Sequence, residues 1–156
     1  MKEYILDFEG YPLSGGNNYK IKELCVVEVS SGRRRQFMVR LRPAEFNALS
    51  AAERQTYMWI KENLNCLSWM DDSERHEEVS EDWIRDYLKR LAMKGTIFAK
   101  GTQKVACLRR MSESPIWNLD TIIPGSLQSI VNLDEEYCGL RNHSNVLHCA
   151  VRNMFG

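Results

Sequence analysis

The sequence predicts an α/β domain in which three antiparallel meander strands are followed by helices, two further strands and a closing helix. Three observations lead there. Alternating, β-favouring residues fill the N-terminal part of the chain, helical periodicity sets in after Pro43, and a short apolar run, Thr96 to Gly101, returns late to strand character. With 156 residues, 44% hydrophobic and 27% charged, the chain can bury a sizeable core as a single domain spanning 1–156. That composition excludes the disordered and disulfide-stapled classes.

Tyr4-Ile-Leu-Asp7-Phe-Glu9 reads as the first strand, broken at Gly10 and again across Pro12 to Asn18, where turn formers concentrate. Tyr19 to Val29 and Gln36 to Leu41 are the second and third strands, joined by a turn at Ser30-Ser-Gly-Arg33. Ser50 followed three positions later by Glu53 is a capping box, and it opens a helix carrying Met58, Trp59 and Ile60. Asp71 to Glu78 reads as a charged loop. Ser80 then caps a helix from Glu81 to Lys94, with Trp83, Ile84, Tyr87, Leu88 and Leu91 on one face, a solvated charged side, and Gly95 as its stop. After the strand Thr96 to Gly101 come a helix from Thr102 to Met111 and a short strand from Ile116 to Ile122. Ser126 to Val131 reads as a helical turn, and His143 to Phe155 as a final helix with Val146, Leu147, Ala150, Val151 and Met154 on its apolar side.

Lys plus Arg and Asp plus Glu both total 21, so no net field draws nucleic acid and any such binding needs a local basic patch. Five cysteines, an odd number, are scattered through the chain with no leading apolar segment, which points to a reduced intracellular protein, cytoplasmic or nuclear. No stretch approaches the roughly 20 apolar residues of a membrane span. Cys25, Cys66 and Cys107 are expected as small apolar core residues. Trp59, Trp69, Trp83 and Trp117 are expected in the core or lining a groove rather than as a base-stacking platform.

Three constellations carry chemistry. Cys138, His143, His148 and Cys149 bring two thiols and two imidazoles into one short run, the donor types a zinc ion takes; the plain alternative is a core thiol, a loop thiol and surface imidazoles. Asp7 and Glu9 fall on one side of a strand because side chains alternate, and near a strand end such a pair can hold a divalent cation or be two surface acids. Arg33, Arg34 and Arg35, with Arg40 and Arg42 following on the next strand, form a patch that can grip the phosphates of single-stranded RNA or stay solvated. Arg109 and Arg110 add to the same idea.

In element order and in these motifs the chain resembles the DEDD exonuclease branch of the ribonuclease H-like fold, over nearly its whole length. In that family a strand-one Asp-x-Glu, an Asp heading a helix and a His-x-x-x-x-Asp on the last helix hold two metal ions. Asp7 and Glu9 fit the first motif, and His148 fits the histidine of His148-Cys-Ala-Val-Arg-Asn153. Lys104 stands for the helix-heading acid and Asn153 for the final one. Two-metal catalysis needs carboxylates holding cations about 3.5 to 4 Å apart, so the resemblance implies a lost hard-cation site, with Lys104 near Asp7 and Glu9 in place of the ion and neutralising their repulsion.

A closer resemblance is to the Maelstrom domain of small-RNA silencing, an exonuclease-like fold without the acidic site that carries a Glu-Cys-His-Cys zinc cluster. Lys22-Glu23-Leu-Cys-Val-Val-Glu is similar to its second-strand glutamate segment, Ile97-Phe-Ala-Lys-Gly to its degenerate second motif, and the run from Cys138 to Cys149-Ala150 to its ending. The resemblance implies a structural zinc held by Glu23, Cys138, Cys149 and a histidine. Arg141 stands where the Maelstrom histidine falls, which leaves His143 and His148; a residue adjacent to a helical ligand points about 100° away from it, and this favours His143.

These readings imply a catalytically degenerate module that binds RNA or a protein partner, in a small-RNA or transposon-silencing setting. The alternatives are a nuclease cutting single-stranded RNA by non-standard chemistry, with Asp7, Glu9 and His148 holding one metal and a base, and an interaction scaffold without nucleic-acid binding. The chain starts almost on the first motif and stops within or just after the last helix, as one domain of a longer protein or a naturally separate one would.

Overall fold

The computed structural model of the chain describes residues 1–70 and 77–122. Strand β1 (Lys2–Leu13) leads through a turn at Ser14–Gly16 into β2 (Asn18–Glu28) and β3 (Arg34–Arg40). Two helices, α1 (Pro43–Asn47) and α2 (Ala51–Ile60), follow, and a π turn at Lys61–Asn65 ends in Cys66 with φ 58°. Then come β4 (Glu77–Ser80), α3 (Glu81–Lys94), β5 (Gly95–Ala99), α4 (Thr102–Ser112), β6 (Ile116–Asn118) and α5 (Leu119–Ile122). The strands form one mixed sheet in the order β4-β3-β2-β1-β5-β6. β1, β2 and β3 are antiparallel neighbours, while β4 joins β3, β5 joins β1 and β6 joins β5 in parallel.

Local rules account for the helices. At α2, Ser50 Oγ accepts from the Glu53 amide and Glu53 Oε1 from the Ser50 amide, both at 3.1 Å, which is the expected capping box. At α3, Ser80 Oγ accepts from the Trp83 amide at 3.1 Å, and Ile84, Tyr87, Leu88 and Leu91 are buried. Gly95 ends α3 in an extended conformation, as the first residue of β5. Its lack of a side chain is needed because a Cβ there would collide with the Lys2 carbonyl oxygen of β1.

The strands depart from expectation where pairing decides. β1 does not break at Gly10. It continues to Leu13 across a register shift between Glu9 and Gly10, where a Cβ would meet the Lys20 carbonyl oxygen. β5 pairs with β1 only as far as Leu6, and among the described residues no strand pairs with that edge beyond it, where Pro12 is tolerated. Within the expected charged loop, Glu77 and Glu78 belong to β4, held on β3 by Arg35–Glu77 and Arg40–Glu78 ion pairs at 3.1 and 3.2 Å. The expected strand from Ile116 stops at Asn118, whose Oδ1 accepts from the Asp120 amide at 3.0 Å and starts α5. The helical turn at Ser126 to Val131 and the helix at His143 to Phe155 lie outside the described residues.

The main core fills one face of the sheet, where Leu6, Phe8, Leu24, Val26, Phe37, Val39 and Ile97 meet Ile84 and Leu88 of α3 and Val105 and Leu108 of α4. Tyr11, Phe46, Tyr57 and Trp69 form an aromatic cluster with ring centroids 4.7 to 5.7 Å apart. On the other face a smaller cluster joins Ile5, Cys25, Val27 and Leu119. Among the described residues no helix is long and apolar enough to cross a membrane.

Candidate functional site

The second face is where the first-strand acids point. Asp7 and Glu9 alternate with the core-facing Leu6 and Phe8, and across the ladder they pair with Cys25 and Glu23. β5 runs parallel to β1 with Ala99 beside Leu6, so the turn after β5 delivers the start of α4 to the level of Asp7. Gly101, with φ 100°, makes that turn, and Lys104 follows in the first turn of the helix. Its Nζ donates to Asp7 Oδ1 at 2.7 Å and lies 3.8 Å from Glu9 Oε1. The ammonium also sits 5.5 Å from the Phe8 ring centroid.

Burial dominates the electrostatics. The side chains of Asp7 and Glu9 are 8% and 13% exposed, that of Lys104 22%. Loss of water raises the Asp7 pKa above the ordinary carboxylate value, an effect only partly opposed by the charge and hydrogen bond of Lys104, the Phe8 backbone amide and the charge of Lys100. Tyr19, packed edge-on against Phe8 at 5.1 Å, has its hydroxyl pKa driven far up by burial and then by the nearby Glu9, Cys107 and Asp7. The Cys107 thiol is pushed up to about 11 by burial, so it is a neutral thiol at physiological pH.

Glu23 is fully buried in β2 on the same side as Asp7, with Glu9 and Met38 as its ladder partners. Its expected companions Cys138, His143 and Cys149, together with His148 and Asn153, lie outside the described residues. Among the described residues no three His, Cys, Asp or Glu side chains gather as a metal site.

The arginines do not form one patch. Arg33 is exposed at the β2–β3 turn, while Arg34 and Arg40 fall on one face of β3 and Arg35 on the other. Arg35 is held by Glu77 and by the rings of Phe37 and Tyr87, and Arg40 by Glu78. Arg42 is exposed just before α1, and its carbonyl accepts from Trp69 Nε1 at 3.0 Å. Arg109 spends two donors on the Ile116 carbonyl, at 3.0 and 2.6 Å, tying α4 to β6. Arg110 donates to the Gly16 carbonyl at 3.0 Å.

Trp69 is buried and Trp83 packs against the core, as expected, but Trp59 and Trp117 are 57% and 51% exposed. Cys25 and Cys107 are buried; Cys66 is half-buried. Sequence reasoning missed Lys22. This lysine is 1% exposed, and its Nζ donates to the Val39 and Trp69 carbonyls at 3.1 and 2.9 Å. The register shift that displaces it opposite Glu9 and Gly10 leaves no local signal. Compared with models of known protein families and with curated proteins, the chain finds no match.

Proposed function

We propose that this chain is a catalytically degenerate, Maelstrom-like member of the ribonuclease H-like exonucleases that works as an RNA-binding or protein-interaction module, in a small-RNA or transposon-silencing setting. The observation that carries the reading is the Lys104 ammonium, 2.7 Å from Asp7 Oδ1 and 3.8 Å from Glu9 Oε1. Hydrolysis by paired cations needs carboxylates that present their oxygens to metal and leave positions open for water and phosphate. An ammonium bonded to Asp7 supplies the countercharge and offers no such position, so the residues present do not fit a hard cation. In the β4-β3-β2-β1-β5-β6 sheet, three antiparallel strands flanked on both sides by parallel ones support the fold assignment.

A zinc held by Glu23, Cys138, His143 and Cys149 belongs to the same proposal. A fully buried carboxylate is stable when a cation or hydrogen-bond donors replace its water, and the burial of Glu23 suits that role. When bound, zinc would supply a structural cross-link and no reaction step. Elemental analysis is expected to find one zinc per chain, lost together with thermal stability in Cys138→Ser and Cys149→Ser. A gel shift with single-stranded RNA is expected to weaken steeply as salt rises. Magnesium-dependent degradation of a labelled oligonucleotide, abolished by Asp7→Ala, would overturn the degenerate-site reading.

A further inference from the structure

Between the start of β2 and the facing sides of α3 and α4 lies a cleft of about 450 Å³, within the roughly 300 to 1,000 Å³ of pockets that hold small ligands. Lys20, Arg85, Lys89 and Arg110 line it, against two carboxylates, Glu81 and Glu113. Glu81, Arg85 and Lys89 recur every fourth residue and so share one face of α3.

Both carboxylates are engaged. Lys20 lies 3.7 Å from Glu81 and 3.4 Å from Glu45, and Lys89 lies 3.9 Å from Glu113. The two guanidiniums remain. Arg85 is exposed and makes no salt bridge among the described residues, acting on Glu81 one turn earlier only through its charge. Arg110 uses one nitrogen on the Gly16 carbonyl, which anchors it to the cleft wall; a guanidinium carries five N–H donors in a fixed fork, so the rest of the fork is left for an anion. Tyr19, packed edge-on against Phe8, forms part of the wall with Asn17 and Asn18, while Ile21, Val39 and Ile84 lie almost fully buried beneath it.

We infer that this cleft is a binding site for a small phosphate-bearing ligand of mononucleotide size, with Arg85 and Arg110 on the phosphate and the rest of the ligand against Tyr19 and the polar wall of Asn17 and Asn18. Planar guanidiniums suit phosphate because they donate two parallel hydrogen bonds. The site adjoins the Asp7–Lys104 pair through Tyr19 and Cys107 but does not rest on the function proposed above. The phosphate can belong to a free nucleotide or to the end of an RNA strand, since its chemistry is the same in both.

Calorimetric titration of the full chain with a nucleoside 5′-monophosphate, the unphosphorylated nucleoside and inorganic phosphate tests the inference. The monophosphate is expected to bind saturably, and the nucleoside at least about tenfold more weakly. Arg85→Glu is expected to lose about tenfold or more in affinity, with an unchanged circular dichroism spectrum; should it fail to fold, Arg85→Gln and Arg110→Gln carry the same test. Competition by a short RNA ending in phosphate, and not by its hydroxyl-ended twin, assigns the ligand to a strand end; competition by neither assigns it to a free nucleotide. No saturable binding of the monophosphate up to about 5 mM, or wild-type affinity in the folded Arg85 and Arg110 variants, would overturn it.

Discussion

Lys104→Met removes one charge from the Asp7 pair while nearly preserving the length of the side chain. Breaking a buried pair by deleting one partner costs about 3 to 5 kcal/mol, because the other charge stays buried without compensation. Asp7 is in that position, with an 8% exposed side chain, but Lys104 is 22% exposed and its removal admits water. The expected loss therefore sits at the low end, about 3 kcal/mol. With a urea slope of about 1 to 3 kcal/mol per molar, the unfolding midpoint should fall by at least about 1 M. Asp7 also sets the pH dependence. Its folded pKa is raised by burial, so the native state binds more protons than the unfolded one between the two pKa values; stability is highest below the unfolded value and is lost as pH rises through the folded one. Lys104→Met deletes the two largest influences that hold this pKa down, which widens that window upward. The deficit relative to wild type should be full at neutral pH and shrink as acid protonates Asp7. Adding Asp7→Asn to Lys104→Met removes the more buried of the two carboxylates that Lys104 faces, leaving Glu9, and should recover part of the loss. Urea unfolding followed by circular dichroism at neutral and mildly acidic pH measures all three chains. A neutral-pH difference below about 0.5 kcal/mol, or a deficit that grows on acidification, would refute the reasoning.

Glu53 accepts from the Asn18 and Ser14 side chains and the Ser50 amide, and its pKa is lowered from 4.5 to about 2. Its contribution is present above pH 4.5 and lost as pH falls towards 2, so Glu53→Gln should flatten the acid limb of a stability–pH curve. Arg109→Ala removes both donors from the Ile116 carbonyl and should cost about 1 to 3 kcal/mol in urea unfolding, with single-stranded RNA retardation unchanged. Cys107, 3% exposed with its pKa pushed to about 11, should react with iodoacetamide far more slowly in the native protein than in urea. Equal rates in the two conditions would show the thiol to be accessible.

Helices α2, α3 and α4 were legible because their signals are local. Ser50 and Glu53 make the α2 capping box, Ser80 caps α3, and the apolar spacing from Ile84 to Leu91 marks its buried face. Of the site, the shared side of Asp7 and Glu9 follows from strand alternation alone, and the resemblance to a degenerate exonuclease put Lys104 near them. Arg109, Arg35 and Arg40 carried no such signal: a basic residue in sequence does not say whether a carbonyl, a glutamate or a phosphate takes its charge. Trp59 and Trp117 are exposed for a similar reason, since hydrophobicity says what can be buried and packing decides which side chains find a partner.

By itself the sequence determined the type of the first three strands, of β5 and of α2, α3 and α4, the caps, the α/β character and the acids that share a strand face, all of which depend on neighbours along the chain. The tertiary structure decided the rest. It extended β1 past Gly10 and Pro12 through continued pairing with β2 across the register shift, and it recruited Glu77 and Glu78 into β4 through pairing with β3. It also chose Asp7 over Glu9 as the closer partner of Lys104 and assembled the cationic cleft from β2, α3 and α4. Such choices depend on register and on the meeting of distant segments, which no short stretch of sequence encodes.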